Sequence, residues 1–239
     1  LLGSYGAKGG LPFVSKPGDV GKSGLKQFMA LYPKPEEKRA DGVGWRYPQF
    51  EQGPGLAHLL YEAMETEDPY PVKAYIAYRH DPLMGYPDPD RLKELWEKLD
   101  LLVSVTFSWS DTAWHSDVVL PLSPYLERES IIATKNALKP QFFVRRRAVE
   151  PRYDTKADWE IVAGLAKRMG LNEIAFETVE DLWNFQLEGT GVSIDDFDAK
   201  GMVSLADKPR YLDFEDYTFK TPSGKFEIIS QKLEDCGLQ

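Results

Sequence analysis

The sequence predicts an α/β fold built around a parallel sheet, and three observations carry that prediction. Val72–Tyr78 (VKAYIAY) and Leu101–Phe107 (LLVSVTF) are short apolar runs rich in β-branched and aromatic residues, which is how buried strands read. Between them Asp90–Leu99 (DRLKELWEKL) sets Leu92, Leu95, Trp96 and Leu99 on one face of an amphipathic helix, with Asp90 as its N-cap. A third short run, Asp117–Leu122 (DVVLPL), follows the second. A strand, a helical crossover and a second strand form a βαβ unit, whose strands run parallel with a right-handed connection.

The elements around this unit read as follows. Residues 3–55 carry glycine or proline every few positions, from Gly9-Gly10 to Gly53-Pro54-Gly55, and predict an irregular segment with one short helix near Leu25–Leu31. So long a loop points to a segment that wraps over structure supplied elsewhere. Gly55–Thr66 reads as a helix with Leu56, Leu59, Leu60 and Ala63 inward. Arg79-His80-Asp81-Pro82 is the turn leaving the first strand. Beyond the unit, QFFVRRRAV (141–149) reads as a strand. Thr155–Asp158 reads as a capping-box variant opening a helix that turns Trp159, Val162, Leu165, Ala166 and Met169 inward and closes at Gly170. Thr178–Leu187 and Ser193–Ala199 read as helical. Tyr217–Lys220 and Lys225–Ser230 read as two strands around Thr221-Pro-Ser-Gly224, a hairpin or the opening of a further domain. The chain starts on Leu1-Leu2-Gly3 and reads as a stretch of a longer polypeptide. The expected organisation is a connecting segment over 1–55, an α/β domain over 56–210 and the start of a β domain over 211–239.

Composition narrows the function classes. With 42% hydrophobic and 28% charged residues over 239 positions, the chain is of ordinary globular character, not disordered or fibrous. Its net charge of −9 repels a phosphate backbone and argues against a nucleic-acid partner. A single cysteine, Cys236, excludes an intrachain disulfide and any four-cysteine zinc or iron–sulfur site made by this chain alone. No apolar run reaches the length of a membrane-spanning helix, so direct membrane insertion is not expected.

Motifs were weighed by what their chemistry requires. Gly21-Lys22-Ser23 lacks the glycine five positions earlier, where Lys16 stands, and no buried strand precedes it, so it is not a P-loop. There is no G-x-G-x-x-G and no G-x-S-x-G. His58 sits among leucines as a packing or capping residue, whereas His80 and His115 follow strand ends. Ligands of open parallel sheets bind at the carboxyl ends of the strands. That rule singles out His80 and Asp81 after the first strand, and Thr106 with Ser108–Thr112 (SWSDT) after the second. A carboxylate such as Asp81 or Asp111 can accept N–H bonds from a guanine edge or bonds from ribose hydroxyls. The same residues serve equally well as Asx-turns and N-caps. Glu127 and Glu129 read as solvated or paired with Arg128. From the residues alone, the outcome is an α/β sheet whose strand ends suit a nucleotide-like ligand.

The stretch Val72–Ser130 resembles the molybdopterin oxidoreductases of the DMSO-reductase family. The matching residues are Pro82-Leu83, Ser110-Asp111-Thr112-Ala113, Asp117-Val118-Val119-Leu120-Pro121 and Glu127. LLGSYGAKGG (1–10), Asp158-Trp159-Glu160-Ile161 through Gly170, and Thr221-Pro-Ser-Gly-Lys-Phe-Glu227 resemble further family segments in the same order. DPLMGYPDP and YLERES are most similar to the polysulfide and thiosulfate reductase catalytic subunits. The resemblance implies a dinucleotide-binding α/β domain followed by the beginning of a β-barrel-like domain. It implies molybdopterin guanine dinucleotide carrying molybdenum, a 4Fe-4S cluster elsewhere in the full protein, an iron–sulfur electron-transfer partner subunit and a possible membrane anchor subunit. It points to an extracytoplasmic complex, with a cytoplasmic one left open. With the strand-end rule it gives a cofactor-contacting set of His80, Asp81, Pro82, Thr106, Ser110, Asp111, Thr112 and Asp117. Two departures stand out: Asp81 replaces the family's Asn, and Thr106 stands where an aspartate usually ends the second strand.

The resulting expectation is part of a molybdenum oxidoreductase acting on an inorganic sulfur compound. A scaffold subunit of an electron-transfer complex and a free-standing nucleotide-binding module are the competing readings. In every case Asp81 and Asp111 should approach a common crevice.

Overall fold

A computed structural model describes residues 4, 8–33, 36–50, 56–211, 218–219 and 221–237. The chain divides into two compact units, Lys34–Leu122 with Glu227–Gln239, and Leu1–Pro33 with Ser123–Phe226. The division at Leu122 falls inside the stretch read from sequence as one α/β domain.

The first of these units holds the parallel sheet. Helix α1 (Leu60–Thr66) precedes strand β1 (Ala74–Tyr78); α2 (Pro82–Gly85) and α3 (Pro89–Trp96) lead to β2 (Leu101–Thr106); α4 (Asp111–His115) leads to β3 (Val118–Pro121). The order is β1-β2-β3, parallel throughout, with Ile76 level with Val103 and Val103 level with Val118. Leu92, Leu95 and Trp96 of α3 pack with Tyr61 and Met64 of α1 against Leu83 and Leu102. Residues of the opposite parity are less covered: Ile76 is 55% exposed, and Tyr78, Leu101 and Val118 are exposed too. This corrects the reading of Val72–Tyr78 as a buried strand: Ile76 alternates away from the face that α1 and α3 cover and lies on an edge strand, whereas Val103 and Val105, on the same face as Ile76 but in the central strand, are buried.

Local details differ for physical reasons. The N-cap of α3 is Asp88, not Asp90: its carboxylate accepts from Arg91 N at 3.3 Å, and Pro89 takes the first helical position, where no N–H is needed. The turn after β1 and the SWSDT loop each contain a short helix, α2 and α4, too brief for any periodicity to reveal.

The second unit carries an antiparallel sheet, β4 (Ala133–Lys135), β5 (Gln141–Phe143) and β6 (Met202–Ser204), in that order. Helices α5 (Asp158–Met169) and α6 (Val179–Leu187) belong to it, and its core gathers Ile132, Phe142, Val144, Leu182, Trp183, Leu187 and Leu205. Gln186 is buried inside α6 because its side chain closes both bonds to Ile132, accepting from N at 2.8 Å and donating to O at 3.0 Å. Leu25 joins this core and Ser15 pairs with Ala137, so part of the glycine- and proline-rich segment wraps over its own unit.

Several sequence expectations are corrected here. The strand read over 141–149 stops at Phe143, after which Val144 N bonds Gly201 O and Ser130 N bonds Arg145 O. Helix α5 starts from Ala157, whose N–H donates to Glu160, while Thr155 spends its hydroxyl on Ser123. Its buried stripe is Ala163 and Ala166; Val162, Leu165 and Met169 are exposed. Ser193–Ala199 shortens to a 3-10 turn, Ile194–Asp196. Lys225–Ser230 forms no strand, since Phe226, Ile228 and Ile229 stand exposed without a ladder partner, and a short helix α7 (Gln231–Asp235) follows. Of the companion strand read at Tyr217–Lys220, both end residues lie outside the described residues.

Candidate functional site

Because the sheet is parallel, the loops after β1 and β2 leave from the same end of it. Strand β1 finishes at Tyr78, and the φ of +49° at Arg79 turns the chain out of the extended conformation while its N–H still reaches Val105 O at 2.9 Å. His80 follows, exposed, with its ring edge-on to Tyr86 at 4.8 Å between centroids. Asp81 then stands at the N-cap position of α2 and Pro82 at its first turn. After β2, Thr106 bends the chain back on itself by donating to Ser108 O at 2.8 Å and accepting from Ser108 N. Ser110 caps α4, its hydroxyl accepting from Ala113 N at 3.2 Å.

The two loops are joined through a buried threonine. Thr112 is fully buried and donates to Asp81 Oδ1 twice, from its backbone N at 3.2 Å and from Oγ1 at 2.5 Å. Its hydroxyl accepts from Leu83 N at 3.4 Å. Asp111, one residue before it, is exposed in the first turn of α4 and has no hydrogen-bond or ion-pair partner among the described residues.

The sequence-derived set therefore separates. Asp81, Pro82, Ser110, Asp111 and Thr112 are brought together at the carboxyl ends of β1 and β2, with His80 and Thr106 at the strand exits. Pro82 and Thr112 are buried, Ser110 is engaged as a cap and Thr106 is engaged within its own loop. Asp111, His80 and the second oxygen of Asp81 are left as groups that can meet a ligand. Asp117 is placed elsewhere: its carboxylate accepts from Leu102 N at 2.7 Å and its N–H donates to Leu102 O, which ties it to the amino end of β2. His115 is exposed at the end of α4, and His58 is exposed in the 3-10 turn Ala57–Leu59.

Trp109, within the SWSDT stretch, and Trp114, which the sequence reading did not single out, shape this rim. They stack at 4.8 Å and 19° while 65% and 72% exposed. Their positions are the residue before the N-cap and the fourth residue of α4, the two sites of a hydrophobic staple. The signal was present in Trp109-Ser110-Asp111-Thr112-Ala113-Trp114, once Ser110 is read as a cap.

The donor set has a definite chemical preference. Exposed carboxylates accept from the amino and imino edge of a base or from sugar hydroxyls, and repel phosphate groups. Groups of this kind suit a nucleoside better than a phosphate. No group of three or more His, Cys, Asp or Glu side chains among the described residues is arranged to hold a metal ion.

A parallel sheet with its polar loops at the strand carboxyl ends defines a class, and the comparisons with known proteins specify it. The sequence profile of the molybdopterin oxidoreductases matches residues 46–168, just over half of the chain, and the chain belongs to that family. Family membership implies a molybdenum–molybdopterin cofactor. Among relatives, the molybdopterin-containing subunit of thiosulfate reductase from Salmonella typhimurium is 29% identical over 227 residues, covering 85% of this chain and 30% of the relative. Dimethyl sulfoxide/trimethylamine N-oxide reductase of Cereibacter sphaeroides is 30% identical over 178 residues, covering 66% of this chain and 22% of the relative. The solved structure of acetylene hydratase from Pelobacter acetylenicus superposes with a TM-score of 0.59 at 29% identity, over 76% of this chain and 25% of that one. The chain spans less than a third of the length of each of these proteins.

Proposed function

We propose that this chain is the part of a molybdenum oxidoreductase that grips the nucleotide end of a molybdopterin guanine dinucleotide, and that the whole enzyme reduces or oxidises an inorganic sulfur compound such as thiosulfate or polysulfide. The observation that carries the reading is the meeting of two carboxylate-bearing loops at the carboxyl ends of β1 and β2, in a member of this family. Asp111 and the second oxygen of Asp81 would accept from guanine N–H groups or ribose hydroxyls, and His80 would close the rim. The bound cofactor supplies the two-electron chemistry, and the protein supplies orientation and electrostatics. The sulfur substrate rests on the resemblance of DPLMGYPDP and YLERES to polysulfide and thiosulfate reductase subunits, since overall identity does not separate the relatives by reaction. An iron–sulfur cluster outside this stretch, an electron-transfer subunit and a membrane anchor subunit complete the proposed assembly.

The test is elemental and nucleotide analysis of the natural polypeptide, followed by turnover of thiosulfate, polysulfide, dimethyl sulfoxide and trimethylamine N-oxide with a reduced dye as electron donor. Molybdenum and guanine nucleotide together, with turnover of a sulfur anion, support the reading. Turnover of the N- or S-oxides alone moves the substrate to the other branch of relatives. Protein free of molybdenum and guanine is a scaffold.

A further inference from the structure

We infer that Asp81 acts through Thr112: its carboxylate is a latch that fastens the loop after β1 to the loop after β2 and thereby positions Asp111, so that Asp81 is a positioning residue more than a ligand contact. The inference deepens the proposed function and rests on it for the identity of the ligand.

The bonding pattern carries the argument. One oxygen of Asp81 takes both donors of Thr112, at 3.2 and 2.5 Å, and the same hydroxyl receives Leu83 N from the first turn of α2. Thr112 is fully buried, so water does not compete for these bonds, and a broken one leaves a buried polar group unpaired. From Thr112 the connection continues. Its carbonyl accepts from Ser116 Oγ at 2.9 Å, and Ser116 Oγ meets Ser104 Oγ, in the middle of β2, at 2.7 Å. Helix α4 is thus pinned at its start to the α2 loop and at its end to the sheet. The described backbone-to-backbone bonds between β1 and β2 end with Arg79 N to Val105 O, and beyond the sheet each described hydrogen bond joining the two loops involves a side chain. Asp111 lies one peptide from Thr112, and its placement follows the latch.

The chemistry also separates geometry from charge. Since Oδ1 alone accepts both bonds, an amide oxygen at position 81 can accept them equally well, whereas a methyl group cannot. Asparagine should therefore restore what alanine removes.

The variants are Asp81→Ala, Asp81→Asn and Thr112→Val, the last nearly isosteric and suited to its buried site, made in the natural polypeptide. Hydrogen exchange of peptides spanning 107–116 reads the latch directly, and guanine nucleotide content reads its consequence, both well below the melting temperature. In Asp81→Ala and Thr112→Val, exchange over 110–113 is expected to rise roughly tenfold, the scale of losing the paired bonds. Nucleotide content should fall in both, Asp81→Asn should keep wild-type exchange over 110–113 because its amide oxygen still accepts both bonds, and on exchange Asp81→Ala with Thr112→Val together should be no worse than either alone. Wild-type exchange in Asp81→Ala overturns the latch, and a loosened loop with a full nucleotide load overturns its positioning role. Wild-type protein without guanine nucleotide refutes the functional reading instead, and the exchange data then decide the latch by themselves.

Discussion

Replacing Asp111 by alanine should empty the cofactor site while leaving the fold in place. The side chain is exposed, fills no core and has no bonding partner among the described residues. Its one structural contribution is a negative charge in the first turn of α4, worth about 0.3–1 kcal/mol through the helix dipole. A loss of ~1 kcal/mol shifts the melting temperature of a chain this size by about 2–4 °C. Against this, one charge-assisted hydrogen bond to guanine or ribose is worth about 1.5–3 kcal/mol. That corresponds to roughly ten- to hundredfold in dissociation constant. Molybdenum and guanine content, measured beside the melting curve of the same preparation, separates the two effects. Asp111→Asn serves as the graded control, since an amide oxygen still accepts but carries no charge. A full cofactor load in Asp111→Ala with a lowered melting temperature would refute the reasoning and reduce Asp111 to a helix-terminus charge.

Other consequences follow from the buried charges and the aromatic rim. Arg128 is 3% exposed with Nη1 3.1 Å from Asp158 Oδ2, so Arg128→Ala, which removes both the buried stem and the ion pair, should destabilise more than Arg128→Met, which keeps most of the packing; equal losses in urea unfolding would contradict this. Burial pushes the Asp41 carboxyl up, but the Arg39 guanidinium and the N–H groups of Val43 and Leu56 outweigh it and hold it below the usual carboxylate range. Its stabilisation is therefore complete above an unfolded-state value of about 4 and lost as pH falls through the lower folded value; the acid limb of stability against pH should be shallower in Asp41→Asn. Trp109→Ala removes the staple on α4 and should cost about 0.5–1.5 kcal/mol, with faster exchange confined to 108–116; unchanged exchange there would show that the exposed pair does not hold the helix.

The sheet was legible where periodicity is strong. The apolar runs Val72–Tyr78 and Leu101–Phe107, with the Leu92–Leu95–Trp96 stripe between them, located β1, α3 and β2 to within three residues, and parallel pairing then placed Asp81 and Asp111 at one end. The short elements were not legible. Helices α2 and α4 are four and five residues long, less than two turns, and are held by a proline, a serine cap and a tryptophan staple instead of an apolar stripe. Asp117 was misleading for a related reason: motif resemblance marks its position but not its direction, and it bonds the amino end of β2. Nor could pattern show which face of the sheet α1 and α3 would cover, which is why Ile76 is exposed although its neighbours in sequence are ideal strand formers. The KFEIIS run alternates like a strand, yet a strand exists only through its partner.

The comparisons carry a further lesson when set beside the site. Relatives named for thiosulfate reduction, for dimethyl sulfoxide and trimethylamine N-oxide reduction and for acetylene hydration resemble this chain at 29%, 30% and 32% identity. Their reactions differ in substrate and, for the hydratase, in type, yet the identity over the matched residues hardly varies. A segment that selected the substrate would be expected to track the reaction; one that holds a shared handle would not. The geometry agrees with the second description. Its exposed carboxylates suit a nucleoside, and its polar bonds are spent on fixing two loops to each other. On the proposed reading the latch sets how much cofactor is held, so Thr112→Val should lower turnover of every accepted substrate by the same factor, and an altered ratio between two substrates would contradict it.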